Sequence, residues 1–94
     1  MNTLPANVVP YKRTPEFDQH SIPAGLRRSH TTRTGTWARI VVLEGTLLYR
    51  ILEPEVTEHL LSDQVPGIVE PGVAHEVAAP GAVRFYVEFL KAPD

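Results

Sequence analysis

His30 closes the run GLRRSH, and His75 opens the run HEV just after the corner Pro71-Gly72, inside the stretch EPGVAHEV. Imidazole nitrogen is the commonest protein ligand for divalent transition metals, and the same ring exchanges protons near neutral pH. If both residues sit at strand ends of a small β-fold, their rings meet at one rim and face one hollow. Two ligands fall short of the three or four that hold a metal firmly. The other reading of each ring is an ordinary packed or solvated side chain. His20 lies in the polar, proline-flanked run DQHSIP and reads as solvated. His59, opposite in phase to Leu60, reads as an exposed strand histidine.

Other side chains offer weaker chemistry. Trp37 and Arg39 alternate onto one face, where an arginine beside an indole can wall an oxyanion pocket through paired hydrogen bonds. A tryptophan in a small β-fold is also a common core residue. Tyr49 is a further pocket candidate, or else a half-buried sheet tyrosine. The chain has no cysteine, which removes disulfides and thiolate sites. Ser21, Ser29 and Ser62 stand in no nucleophile elbow. No glycine-rich βα fingerprint for a nucleotide or nucleoside cofactor is present, so methyltransferase chemistry is not expected.

The elements that must position these residues read as short strands. With 94 residues and 43% hydrophobic content, one domain, residues 1–94, is expected. Period-2 alternation dominates and no amphipathic helix stands out. TWARIVVLEG (residues 36–45) puts Ala38, Ile40 and Val42 on one face, and Trp37, Arg39, Val41 and Leu43 on the other. Glu44-Gly45 reads as a hairpin turn, with TLLYRIL (46–52) as the returning strand. EHLLS (58–62), GIVEP (67–71), HEVAA (75–79) and VRFYVEFL (83–90) follow. VVPYKR (8–13) reads as an edge strand because of Pro10, and AGLRRSH (24–30) as another strand. About eight strands with regular turns imply a sandwich or small barrel. VRFYVEFL carries an apolar face (Val83, Phe85, Val87, Phe89) and a polar face (Arg84, Tyr86, Glu88). Were the polar face turned inward, Glu88 would be a third, oxygen ligand and Tyr86 a pocket wall; turned outward, these residues are a solvated face.

A net charge of −2 gives no basic footprint for nucleic acid. No apolar run is long enough for a membrane span, and the N-terminus does not read as a signal peptide. A cytoplasmic domain is expected.

The segments LPANVVPYKRTPEF, IPAGLRRSHTTRTGTWARIVVLEGTLLYRILEP and GIVEPGVAHEVAAPGAVRFYVEF, with the ordered run H…GTW…VLEG…VEP…H, resemble the TehB/YeaR-like domain. That resemblance covers nearly the whole chain. It implies an all-β, cupin-like jelly roll, a small double-stranded β-helix. In the cupin pattern two histidines separated by one residue, a glutamate and a later histidine hold the metal. Here His30 and His75 occupy two of those positions, while Thr32 and Ala38 stand at the other two. The resemblance implies a module for a small molecule, an oxyanion or one divalent transition metal (Zn, Fe, Ni or Mn), linked to tellurite or stress resistance. Its metal ligands would be His30 and His75, with Glu88 added by the facial argument; Trp37, Arg39, Tyr49 and Tyr86 would be pocket walls. The alternative is a non-enzymatic sandwich that pairs into a homodimer, and a metal-dependent isomerase or dioxygenase is the remote third.

Overall fold

The computed structural model describes residues 1–93. Eight strands and one short 3-10 helix follow in the order β1 (Val9–Arg13), β2 (Phe17–Asp18), the helix (Ala24–Arg27), β3 (Trp37–Gly45), β4 (Leu47–Ile51), β5 (Thr57–Leu61), β6 (Gly67–Val69), β7 (His75–Ala78) and β8 (Val83–Lys91). They form two antiparallel sheets. One has the order β1-β8-β3-β6, with β2 also pairing β8; the other has the order β5-β4-β7. The fold is all-β, as expected, and the pairings do not close into a barrel. No helix among the described residues is long and apolar enough to cross a membrane.

Alternation sets which residues meet between the sheets. On β3, Ala38, Ile40 and Val42 are buried, and on β8 so are Val83, Phe85 and Val87. Both sets belong to one core with Leu47 and Tyr49 of β4, Leu61 of β5, Val69 of β6 and Val77 of β7. The inward faces of β3 and β8 are those that their alternation implies. Gly67 of β6 is also buried, because a Cβ there would meet Leu61 Cδ1 at 2.7 Å and Ile40 Cδ1 at 3.2 Å.

Three expectations change. Glu44-Gly45 is not a hairpin turn: β3 pairs with β8 and β6, whereas β4 pairs with β5 and β7. The chain steps from one sheet to the other across Thr46. Gly45 is still required, with φ +73° and an added Cβ falling 2.0 Å from the Ala82 carbonyl oxygen. Residues 24–30 are not a strand. Ala24–Arg27 coils, with Leu26 N–H donating to Pro23 O at 3.0 Å, and Leu26 packs partly buried against the core. Its single large apolar side chain reaches the core from one turn, so a two-faced strand has nothing further to bury. His59, finally, is half-buried on the inward side of β5, across from Tyr49, while Leu60 is the exposed neighbour at 59%.

Candidate ligand cavity and its imidazole pair

His30 and His75 meet through the backbone before their rings do. His30 N–H donates to His75 O at 2.8 Å, and His75 N–H donates to His30 O at 2.9 Å, a single antiparallel bridge along β7. His75 is simultaneously held in register opposite Ile51 of β4. Ahead of it, the corner Pro71-Gly72 uses the positive φ of Gly72 (+73°) to turn the chain from β6 into β7. Behind His30, the loop is pinned by Thr32 Oγ1 donating to Thr36 O at 2.8 Å. The two imidazole rings therefore stand edge to face, with centroids 5.3 Å apart at 83°.

Together they line a cavity of about 160 Å3 between the sheets. Its remaining wall is largely apolar, drawn from Phe17, Leu26, Ile40, Val77, Phe85 and Val87 among others. A shallower groove carrying Lys12 and Arg33 shares His30, Thr32 and Phe89 with this cavity, which places those three at its mouth. Thr14 and Thr32 also line the cavity, and both hydroxyls are engaged. Thr14 Oγ1 donates to Pro15 O and accepts from Val87 N–H, and Thr32 Oγ1 binds Thr36 O. The surface that the cavity presents is almost wholly apolar.

The protonation of His75 follows from its surroundings. Nδ1 lies 3.1 Å from Val73 O, and a carbonyl only accepts, so Nδ1 carries the proton and donates. In the neutral ring that leaves Nε2 as the lone-pair nitrogen. Burial, against the pull of the Val73 bond and aided by the neighbouring His30, holds the ring's pKa below its ordinary value. His30 presents the complementary feature: its Nδ1 is buried with no hydrogen-bond partner among the described residues. A buried polar atom left unpaired costs about 1–3 kcal/mol.

The other expected site residues lie elsewhere. Glu88 is on the outer face of its sheet, directly opposite Arg39 in the β3–β8 register. Arg39 donates to it from Nε at 3.0 Å and also from Nη2. Glu88 is thus no third ligand to the imidazoles, because β8 turns Val87 and Phe85 inward and the alternation sends Glu88 out. Arg39 is likewise no wall of this cavity, its guanidinium being spent on Glu88 outside. Tyr86 sits on the same outer face, with the Arg13 guanidinium 4.6 Å from its ring centroid. Trp37 alternates with Ala38 onto that outer side as well, half-buried. Tyr49 alone among these points inward, and it is fully buried rather than half-buried. It packs edge-on to His75 at 5.9 Å between centroids and donates its hydroxyl to Ile68 O at 2.9 Å. Burial, and then Glu70, push that hydroxyl's pKa well above the usual range. Tyr49 is therefore a structural support behind His75 and never a phenolate at neutral pH.

The donor set does not complete a metal site. Among the described residues no group of three His, Cys, Asp or Glu side chains is placed to hold an ion. His30, Thr32, Ala38 and His75 all line the one cavity, so the four positions of the cupin pattern do converge; two of them simply lack donors suited to a transition metal. Sequence reasoning missed the apolar wall, and Phe17 above all. A two-residue strand inside TPEFDQHSIP gives no periodic signal, yet it pairs Phe17 with Phe85 and stacks their rings 5.6 Å apart.

Comparison with known proteins agrees with this architecture. The family model described as the TehB-like domain matches residues 12–87. The probable S-adenosyl-L-methionine-dependent methyltransferase TehB of Haemophilus influenzae is 32% identical over 74 residues, which are 73% of this chain and 26% of that protein. The chain therefore spans about a quarter of the length of that relative. The crystal structure of TehB from H. influenzae superposes with a TM-score of 0.85 at 26% identity, over 93% of this chain and 32% of the other. A protein from Escherichia coli strain K12 matches over the full length of both chains, with a TM-score of 0.88 and 22% identity. A cupin-2 domain protein from Shewanella frigidimarina matches more distantly, with a TM-score of 0.54 at 16% identity over 92% of this chain and 67% of the other. The chain belongs to the TehB-like domain family and has a cupin-like all-β fold.

Proposed function

We propose that this domain is a small-molecule binding module whose site is the cavity between the two sheets. The observation that supports it is a hollow of about 160 Å3 between the sheets whose wall is almost wholly apolar. Binding pockets of this kind are mainly apolar with a few placed polar groups. An oxyanion suits the cavity less well. Its natural partner, Arg39, is on the outer face, and burial keeps His75 neutral instead of cationic. A divalent metal would find two imidazoles and, among the described residues, no third donor, so no step of a metal-dependent reaction is assigned.

The test is NMR of the full chain, purified without a histidine tag, titrated with small aromatic probes such as benzene and phenol. Saturable shifts are expected at the methyls of Ile40, Val69, Val77 and Val87, which line the cavity. Methyls on the outer face, such as those of Val41, should stay unmoved. No saturable shift with either probe at millimolar concentration defeats the proposal.

A further inference from the structure

The mouth of the cavity carries the charge that its wall lacks. We infer that the guest is an amphiphilic organic anion, with its apolar body in the hollow and its carboxylate outside, in the groove of Lys12 and Arg33. This inference rests on the ligand-binding reading of the cavity. It adds the charged group that the rim selects.

Strand register puts Lys12 there. Residues directly opposite across an antiparallel pair point to the same face, and Lys12 of β1 stands opposite Phe89 of β8. Phe89 packs against the core and lines both the cavity and the groove. The next residue has the other phase: Arg13 stands opposite Glu88, and its guanidinium lies over Tyr86 on the outer face. Just past the end of β1, Thr14 lines the cavity itself. Lys12 is therefore a cation on the inner side of its sheet, where the hollow meets solvent. An inward-facing lysine on an edge strand also discourages pairing with other chains, but Arg33 is on no strand. It comes from the loop after His30, in a turn closed by Thr36 N–H donating to Arg33 O at 3.0 Å.

Neither cation is neutralised among the described residues. Arg39, Arg50 and Arg84 each pair with glutamates, whereas Lys12 and Arg33 make no ion pair and no carboxylate lines their groove. The chain has 11 acidic residues against nine basic ones, so this local positive charge runs against its composition. Lys91 adds to it, with Nζ 4.8 Å from the ring centroid of Tyr11, which lines the same groove.

The apolar wall then fixes what the anion must carry. A cavity of about 160 Å3 is comparable with the roughly 150 Å3 apolar cavity that accommodates benzene in an engineered protein. One six-membered ring fills it, gaining by apolar burial alone. An inorganic anion has no such body and meets only screened surface charge. A carboxylate tethered to the body stays in water at the rim, where an arginine fork matches its two oxygens and no charge is buried. An ammonium head would face like charges instead.

Phenylpropionate, phenylpropanol and phenylpropylamine share one body and separate these ideas. Water holds a carboxylate more strongly than a hydroxyl, and a net charge of −2 repels anions. Without local cations the alcohol is therefore the tighter guest. Each probe is titrated into the full chain at neutral pH and low salt, with affinity read from the cavity methyls of Ile40, Val69, Val77 and Val87. The acid is expected to bind about threefold to tenfold more tightly than the alcohol, the scale of two exposed charge pairs. The amine should bind more weakly than both, and the amides of Lys12 and Arg33 should move with the acid. The acid's excess should disappear in the double variant Lys12→Gln/Arg33→Gln and shrink at ~1 M salt, where charges are screened beyond roughly 3 Å. If the variant fails to fold, the wild-type order and its salt dependence decide. Alcohol binding as tightly as the acid, or more tightly, overturns the anion inference and leaves the cavity reading standing. An acid that moves the Lys12 and Arg33 amides without the cavity methyls also overturns it, since the anion then binds the surface with no body in the hollow. Cavity methyls unmoved by all three probes and by benzene remove the inference and the cavity reading together.

Discussion

Replacing Gly45 by alanine tests how the chain passes between the sheets. Gly35, Gly45 and Gly72 all hold positive φ, at +80°, +73° and +73°, but only Gly45 is crowded. A Cβ at Gly45 would lie 2.0 Å from the Ala82 carbonyl oxygen and 3.1 Å from Val83 Cα, whereas at Gly72 and Gly35 it meets nothing within 4 Å. All three substitutions share the left-handed strain of an L-residue, about 1–2 kcal/mol, partly offset by about 0.4–1 kcal/mol from a stiffer unfolded chain. Gly35→Ala and Gly72→Ala should therefore each lose at most about 1.6 kcal/mol. Gly45→Ala adds overpacking against backbone, which cannot swing aside as a side-chain tip can, and that costs about 1–3 kcal/mol more. In a domain of this size each kcal/mol moves Tm by roughly 4–8 °C. Gly45→Ala should thus melt roughly 5–20 °C below Gly72→Ala, read by calorimetry or circular dichroism on the three variants side by side. Equal losses at all three positions would show that strand β3 does not leave its sheet against residues 82 and 83, and the assignment of the crossing would fail.

Two further outcomes follow from the imidazole pair. Because the native His75 ring takes its proton below the ordinary value of 6.5, the unfolded chain binds more protons than the native one between that value and the native pKa. Stability should hold level above about pH 6.5 and fall as the pH drops, with a slope of at most about 1.4 kcal/mol per pH unit from this one group. Urea titrations of the wild type and His75→Leu across pH 5–8 isolate that part, and identical pH dependence in both refutes it. Installing donors at the two cavity positions that lack them, Thr32→His with Ala38→Glu, should yield a protein less stable on its own, since Ala38 is 1% exposed and a buried carboxylate is costly. Zn(II) should then raise its Tm by several degrees without moving that of the wild type; no metal response in the double variant would show that the four positions do not converge.

Much of this fold was legible because period 2 is a local property. WARIVVL and VRFYVEF each declare an apolar face, and in both strands that face is the buried one. The sheet change after Gly45 was not legible. A hairpin and a crossing both need positive φ, and only the partners of β4, some ten to thirty residues further on, distinguish them. The coil at Ala24–Arg27 escaped for a related reason: its shape answers to a core contact made by Leu26 alone. The convergence of His30 and His75 was expected from two strand ends, whereas only His75 opens a strand and His30 reaches it from a loop through one bridge; the role of Glu88 was not legible. Its partner Arg39 lies 49 residues away in sequence, and their pairing depends on the β3–β8 register.

That register also explains why neither Glu88 nor Tyr86 joins the imidazoles. Successive side chains of a strand face opposite ways, so a residue changes face only if its whole strand slips by one. Bringing Glu88 and Tyr86 inward would expel Val83, Phe85 and Val87, all buried, at about 1.5–3 kcal/mol each. No single bond to a ligand offsets such a loss in a domain whose entire stability is of order 5–15 kcal/mol. Arg39 is bound by the same parity on β3, since turning it inward would expose Ala38, Ile40 and Val42. The chemistry open to the cavity is therefore set by the residues already in inward phase. On β3 and β8 these are apolar, and the polar residues at the cavity are His75 on β7 together with Thr14, His30 and Thr32, which escape the parity rule because they lie in loops. A hollow lined in this way selects by shape and apolar contact, and its selectivity should change with substitutions at inward positions and hardly at all with those on the Arg39–Glu88 face.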